Sequence, residues 1–580
     1  MPLNIHSRKI GQIVAFFALV LITAGLASGP AMAQNVPSTA EGGRFDQPFV
    51  SQPLQPRSSD LPVATPDDGV GDIEEIDITF RLNGVVFEGS TGFTATAFEP
   101  LYADQIGQDV TVDYVFELAQ RATAFYRNEG YILSQVIVPP QEIDGGMIRL
   151  QAVEGFVDEV VITGSVGSER GLIDEMLQNI TEQRPLHNDT LERYLLLAGD
   201  LAGLTVQAVF SPSETNVGAA TLTVQSIHRR VEAAFELTNY GSDFVGPLRG
   251  EAEFYFNSLL GLHERLGLKL AVADDGDELL FGELSASVPI SSEGTSLFGR
   301  VSVSDSEPGE NLRAFDVAND SLRWSVGLTQ PLIRSRDRNL FLTFQFDWDD
   351  LTSDTNVGRV TDDHLRTLSV SLDYDFVDTA FGPSLPAVTA IRLEARQGLG
   401  GLGATSSSDP NRSRLNADGT FTSLRAEFQR YQSLGAPGWT LLTAVSGQIS
   451  NGPLLSSEEF GFGGSAFGRG FDPSAILGDR GIAGKLELQY QAEWQDMADF
   501  LDSYQLFAFV DAGLVQNVDV AGVNGSVTDE LWSAGGGLRL DFAHGFESEL
   551  AVAWVSDDID NDFAFGNDHW RWLFRLAKSF

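Results

Sequence analysis

The chain has 580 residues and a formal net charge of −44, from 81 acidic against 37 basic side chains, and it has no cysteine. No basic stripe is present for phosphate, which argues against nucleic acid as a partner, and without cysteine disulfides have no stabilising role. Seven histidines are scattered, with no nucleophile–base pairing and no metal-ligand spacing, so the chain reads as a non-enzyme that uses no cofactor and no metal.

The chain opens like an export signal. Arg8 and Lys9 give a positive start, Ile10 to Leu26 is an uncharged apolar run, and Ala31-Met32-Ala33 supplies a small-x-small cleavage site. Residues 1–33 are therefore expected to be removed on export. The apolar run is shorter than the roughly 20 residues a spanning helix needs. No later stretch is a candidate transmembrane helix, which leaves an exported chain either soluble or inserted as a barrel. The 59 glycines and 39 phenylalanines favour the barrel. Residues 34–71, rich in Pro, Ser, Gln and Asp without periodicity, read as a flexible linker.

Residues 72–227 mix helical and strand patterns and divide into two similar units, 72–155 and 156–227. In the first, Ile76 to Phe80 alternates as a strand. Tyr114, Leu118, Ala122 and Phe125 recur at helical spacing, and β-rich runs follow at Leu133 to Val138 and Met147 to Val153. The second repeats the order: strand Val157 to Thr163, helices Leu172 to Ile180 and Leu191 to Asp200, strands Thr205 to Phe210 and Ala220 to Val224. Each is a β-α-α-β-β unit large enough for one small core, and neither groups residues in a catalytic pattern. The stretch "GYILSQVIVPPQEIDGGMIRLQAVEG" resembles the closing half of the first POTRA domain of two-partner secretion transporters. The stretch "RPLHNDTLERYLLLAGDLAGLTVQAVFSPSETNVGAATLTVQ" resembles the second POTRA domain of the same family.

From residue 228 to Phe580 the ordered segments alternate. Leu342, Phe344 and Phe346 share one face against Thr343 and Gln345. Leu368, Val370, Leu372, Tyr374 and Phe376 oppose Ser369, Ser371, Asp373 and Asp375. About sixteen such segments start near residues 229, 248, 264, 278, 295, 320, 337, 362, 386, 420, 438, 482, 503, 530, 546 and 568. Roughly ten residues each suits a tilted membrane strand, and an even number lets an antiparallel barrel close. Short connections such as "PISSEG" and "SLGAPG" alternate with long polar ones such as "DDLTSDTNVGRVTDD" and "GLGGLGATSSSDPNRSRLNADGT". That sorting predicts periplasmic turns at one end and surface loops at the other. The acidic pairs Asp349-Asp350, Asp362-Asp363 and Asp557-Asp558 read as solvated loop tips. In the last strand Trp570, Trp572, Phe574, Leu576 and Phe580 share a face, and Trp572, Phe574 and the terminal Phe580 resemble the signal read by the outer-membrane assembly machinery.

The longest interruption, "SSEEFGFGGSAFGRGFDPSAILGDRG", falls at the sixth surface loop yet lacks the polarity of an exposed tip. Its glycines and aromatics predict a tight hairpin within the lumen. Arg469-Gly470-Phe471 at its centre resembles the arginine-glycine-aromatic motif of the POTRA-barrel superfamily. Phe509, Asp511 and Gly513 resemble its companion motif on the barrel wall. If Leu506, Ala508, Val510 and Ala512 face lipid, then Phe507, Phe509, Asp511 and Gly513 face the lumen, where a carboxylate can hold a guanidinium by two parallel hydrogen bonds.

The resemblance implies an outer-membrane transporter with periplasmic POTRA domains and no cofactor. Its implied partners are one secreted protein, adhesin- or hemolysin-like and β-helical, the outer-membrane assembly machinery and the lipid bilayer. An exposed strand edge in the first unit, with Leu133, Gln135 and Ile137, is the expected place for an extended chain to add by β-augmentation. A plug helix, present in some family members, is not supported in 34–71. Two other readings are an assembly factor of the same superfamily, which usually carries more POTRA domains, and a diffusion porin, which carries none.

Overall fold

The computed structural model describes residues 63–64, 78–216, 218–493, 500–518, 526–557, 564–565 and 569–580. The expected signal segment, and all of the expected linker except residues 63–64, lie outside these residues. Those two residues form a short strand, β1 (Val63–Ala64), so the linker is not featureless throughout.

The first unit comprises β2 (Thr79–Arg81), β3 (Gly84–Glu88), α1 (Ala95–Phe98), β4 (Asp109–Thr111), α2 (Val112–Asn128), β5 (Gln135–Ile137) and β6 (Met147–Val153). Helix α2 starts where the Thr111 hydroxyl accepts the Tyr114 amide, as an N-cap does. It buries Val115, Leu118, Ala119, Ala122 and Tyr126 along one stripe. That stripe packs on a sheet of order β3-β6-β5. Strand β3 was absent from the sequence reading because its apolar residues form a run too short to show a period; it is recruited by parallel pairing with β6. Of the expected opening strand, residues 76 and 77 lie outside the described residues, and the strand described is Thr79–Arg81.

The second unit comprises β7 (Phe156–Gly164), α3 (Gly171–Glu182), α4 (Asn188–Gly199), β8 (Leu204–Pro212) and β9 (Ala219–His228). Leu204, Val206, Ala208 and Phe210 alternate inward from β8 against the buried faces of α3 and α4. Its sheet runs β1-β8-β9-β7, with β1 parallel to β8 and Val63 opposite Ala208. The unit is seated on the barrel rim through helix α4. The Arg334 guanidinium grips the Asp200 carboxylate with two hydrogen bonds of 2.8 Å. Arg193 and the Tyr194 hydroxyl both donate to Glu293, at 2.8 and 2.6 Å.

The barrel strands are β10 (Val231–Thr238), β11 (Arg249–Asn257), β12 (Arg265–Ala273), β13 (Leu280–Pro289), β14 (Ser296–Ser306), β15 (Ala318–Arg334), β16 (Arg338–Thr355) and β17 (Gly358–Asp378). They continue as β18 (Ala387–Gly398), β19 (Thr422–Ser433) and β20 (Trp439–Ser450). A hairpin follows, β21 (Phe460–Phe462) with β22 (Ile476–Gly478). The wall resumes with β23 (Arg480–Glu493), β24 (Leu501–Asn517), β25 (Val527–Phe542), β26 (Phe546–Val555), the two-residue β27 (Ala564–Phe565) and β28 (Trp570–Ser579). Leaving out β21, β22 and β27, these are sixteen antiparallel strands, and β28 pairs with β10 to close the barrel. Every strand starts within four residues of its expected position.

Side chains alternate between lipid and lumen. Trp324, Trp348, Trp532 and Trp554 girdle the outer face at the far end; Tyr374, Phe376, Trp439, Tyr490, Phe542 and Phe546 do so at the end nearer the α+β units.

Two expectations fail together on β16 and β17. The segment "DDLTSDTNVGRVTDD" is not a loop, because only Asn356 and Val357 separate the strands, which run 18 and 21 residues rather than ten. Asp349-Asp350 and Asp362-Asp363 are strand residues and not loop tips. Cross-strand polar pairs hold the hairpin together beyond the lipid: Asp350 accepts from His364 and Arg366, and Arg359 donates to Asp354.

Candidate functional site

The β21–β22 hairpin lies inside the barrel, and its tip is built from glycines and aromatic rings. Phe460, Phe462 and Phe471 pack with Ala483 and Val515 of the wall and with Val555 of β26. Gly470 lies against Val555 and Ser533, where a side chain would collide. Gly513 of β24 faces the ring of Phe462, and a Cβ there would fall within that ring. The space that Gly513 leaves is therefore taken by a loop side chain.

Arg469 is 3 % exposed and Asp511 is fully buried. The Arg469 Nε and Nη2 donate to the two oxygens of Asp511, each at 3.0 Å, in the two-pronged arrangement read from the sequence. Asp511 also accepts the backbone amides of Gly468 and Arg469, at 3.2 and 3.1 Å. One carboxylate thus fixes both the side chain and the turn that carries it. The guanidinium lies 3.6 Å from the centre of the Phe509 ring, close enough for a cation–π contact. Burial along β24 follows the expected faces: Phe507, Phe509 and Asp511 point inward, and Leu506 and Val510 outward.

Sequence reading missed the rest of the network. Glu487 of β23 accepts from Arg469 Nη1 and, at 2.7 Å, from Arg539 of β25. Arg539 donates to Glu549 of β26 at 2.6 Å, and Tyr240 donates to Glu549 at 2.6 Å. The rings of Phe507 and Phe509 lie over Gly537 and Gly535, where any Cβ would meet them at 2.7 Å. The glycine run Gly535-Gly536-Gly537 was the available signal, since glycines inside a strand mark a close approach.

Four further carboxylates of the sixth loop meet the wall or a neighbouring loop, among them Glu459, which pairs with Arg414 at 2.8 Å. Asp472 accepts from the buried Arg571 of β28 at 3.0 Å. Glu458 meets Arg396 of β18 and Arg425 of β19. Asp479 pairs with Arg414 and accepts the amides of Leu454 and Val518, at 2.7 and 2.8 Å.

The other expected residues are placed as follows. Trp572 and Phe580 are exposed on the lipid face, Phe574 is half-buried, and Phe580 stacks edge-on against Phe235 with its amide on the Ala233 carbonyl. Gln135 and Ile137 are exposed on β5, which is an edge strand. Leu133 precedes that strand and packs against the second unit's core. The outward amide of Val136 donates to Thr123 Oγ1 at 2.8 Å, so α2 already occupies part of this edge.

Residues 221–540 match the family described as haemolysin secretion/activation protein ShlB/FhaC/HecB, and residues 80–155 match the ShlB-type POTRA domain. The heme/hemopexin transporter protein HuxB of Haemophilus influenzae strain 86-028NP is 21% identical over 487 residues, 82% of each chain. The outer membrane transporter CdiB of Dickeya dadantii is 23% identical over 513 residues, again 82% of each. Among solved structures, CdiB from Escherichia coli superposes with a TM-score of 0.69 at 19% identity, covering 90% of this chain and 94% of that one. CdiB from Acinetobacter baumannii gives 0.58 at 15% identity, covering 99% and 97%. With more than half of its length matched, across the barrel and its lumenal hairpin, the chain belongs to the haemolysin secretion/activation protein family ShlB/FhaC/HecB: it is an outer-membrane transporter of two-partner secretion, with POTRA domains in the periplasm.

Proposed function

We propose that the POTRA units take up one unfolded secreted partner, adhesin- or hemolysin-like and β-helical, and pass it through the barrel past a releasable lumenal hairpin. The buried two-pronged contact of Arg469 with Asp511 carries this reading. A hairpin that merely filled the lumen needs only apolar packing. A charged pair in a partly desolvated place is a directional fastening, stable when made and costly when half-made. Arg469, Gly470 and Phe471 are the moving half of the fastening; Phe509, Asp511 and Gly513 are the fixed half.

Uptake is assigned to the first unit, along β5 beside α2. Gln135 and Ile137 offer side chains to an extended chain there, with Leu133 at the base of the strand. An incoming strand would take over the Val136 bond now made by Thr123. Trp572, Phe574 and Phe580 on the last strand are assigned to recognition by the outer-membrane assembly machinery, which reads them before the barrel enters the bilayer.

The test is secretion of the cognate partner, with residues 80–155 deleted. The barrel should still insert, scored by heat-modifiable migration, while secretion is lost. Secretion at the full-length level would move the uptake site out of the first unit.

A further inference from the structure

The network around Arg469 engages the tip of the sixth loop only. Its ascending limb, before β21, carries Glu458, which is 4 % exposed. The Glu458 carboxylate accepts Arg396 Nη2 at 2.9 Å, Arg396 Nε at 3.2 Å and Arg425 Nη2 at 3.0 Å. Its main-chain carbonyl accepts Arg425 Nη2 at 3.2 Å and Gln448 Nε2 at 3.0 Å. One residue thus joins the limb to three neighbouring strands, β18, β19 and β20. These lie two to four strands along the barrel from β24, where Asp511 holds the tip. The two contacts share no residue. Beneath Glu458 is a polar cavity of about 80 Å³ whose lining includes Arg300, Arg323, Asp347 and Asp349. At Glu458 the limb is therefore seated on a charged part of the wall, while Leu454 and Leu455 before it pack on Leu365 and Phe421.

We propose that Glu458, with Arg396 and Arg425, is a second lock on the lumenal hairpin, independent of the Arg469–Asp511 lock, and that the hairpin leaves the lumen only when both are broken. The proposal rests on the reading that the hairpin is releasable. Glu458 is a positioning residue. Its carboxylate bridges two buried guanidiniums at 2.9 and 3.0 Å, closer than Glu394 and Asp347 come to them (3.3 to 3.9 Å), so removing its charge weakens the seated state. Once the limb departs, Arg396 and Arg425 face the lumen as a pair suited to carboxylates of a passing chain.

The chain has no cysteine, so a single introduced thiol reports without background. Ser474 lies in the hairpin and is 2 % exposed. In Ser474→Cys, labelling by a membrane-impermeant maleimide at the surface of whole cells measures departure of the hairpin. Adding Glu458→Gln should raise the labelling rate about tenfold, the loss expected for a charged hydrogen bond, with heat-modifiability of the barrel unchanged. Because the locks are independent, Glu458→Gln and Arg469→Ala should multiply when combined. A Glu458→Gln rate within twofold of the parent, or a double variant no faster than Arg469→Ala alone, overturns the second lock. If Glu458→Gln fails to insert, Arg425→Gln removes the same contact from the wall side and carries the same expectations. If Arg469→Ala itself leaves labelling unchanged, the releasable hairpin falls, and with it the Proposed function; failure of Glu458→Gln alone leaves that reading intact.

Discussion

Replacing Asp511 by alanine removes four hydrogen bonds at once: two from the Arg469 side chain and one each from the amides of Gly468 and Arg469. Arg469 keeps only Glu487, which it already shares with Arg539. Breaking one side of a buried ion pair costs about 3–5 kcal/mol, and lumenal water favours the lower end of that range. At about 1.4 kcal/mol per factor of ten, the open hairpin should gain roughly a hundredfold in population. Hydrogen exchange reads this directly, because the amides of Gly468 and Arg469 are protected by the carboxylate that is lost. Their protection should fall roughly a hundredfold in Asp511→Ala, and by a similar factor elsewhere in 460–478 if the hairpin opens as one body. Secretion should be crippled while the barrel still inserts. Arg469→Ala breaks the same ion pair but keeps the two amide bonds, so it should be the milder variant, and the double variant should be no worse than Asp511→Ala. Arg469→Lys should fail in large part, because an ammonium cannot make two parallel bonds. Protection within threefold of wild type in Asp511→Ala would refute the reasoning, as would a double variant far worse than both singles.

Gly513→Ala should disturb the hairpin from the wall side by colliding with Phe462, and Phe462→Ala should restore secretion in that background. In the first POTRA unit, burial pushes the Glu154 carboxyl up, but hydrogen bonds from Thr91, Gly92 and Tyr126 outweigh it and hold the carboxyl below the usual range. A depressed folded value means stability that is present above the unfolded glutamate range and lost as pH falls through the folded value. Exchange protection of residues 78–155 should therefore drop on acidification below about pH 4.3, and Glu154→Gln should flatten that dependence. Asp200→Ala should leave both POTRA units folded yet widen the distance distribution between spin labels on α4 and on the turn after β15, because the Arg334 clamp is lost. An unchanged distribution would place the attachment elsewhere.

The barrel was legible because its signal is local. Alternation needs only neighbours along the chain, so strand starts and the faces of β24 could be read without knowing any partner strand. The Arg469–Asp511 pairing was legible because it rests on two short motifs and one parity argument. What escaped the reading depends on register. Glu487, Arg539 and Glu549 become one network only when β23, β25 and β26 align, and no single strand records that alignment. Glu458 escaped for a related reason, since its partners lie 62 and 33 residues away. The β16–β17 hairpin was misread because acidic residues suggest a loop, although here Arg359, His364 and Arg366 neutralise them across the ladder. Strand β3 was lost for want of length.

The seating of the second α+β unit on the barrel rim has a mechanical consequence. A polypeptide that folds outside the cell reels in its own tail, and the tail drags on whatever still grips it. If the first unit grips the chain as proposed, that tension presses the α+β units against the rim, and the joint between the second unit and the barrel bears a compressive load. Here the joint includes the Asp200–Arg334 clamp at the C-terminal end of α4, Glu293 held by Arg193 and Tyr194 within it, and His263 bonded to Ser168 and Glu169. Glu293 stands on the turn between β13 and β14 and Arg334 ends β15; the β13–β14 ladder is continuous, and the β15–β16 ladder carries one bulge between Pro331 and Ile333. Force entering at α4 is thus spread around a closed hoop of backbone hydrogen bonds.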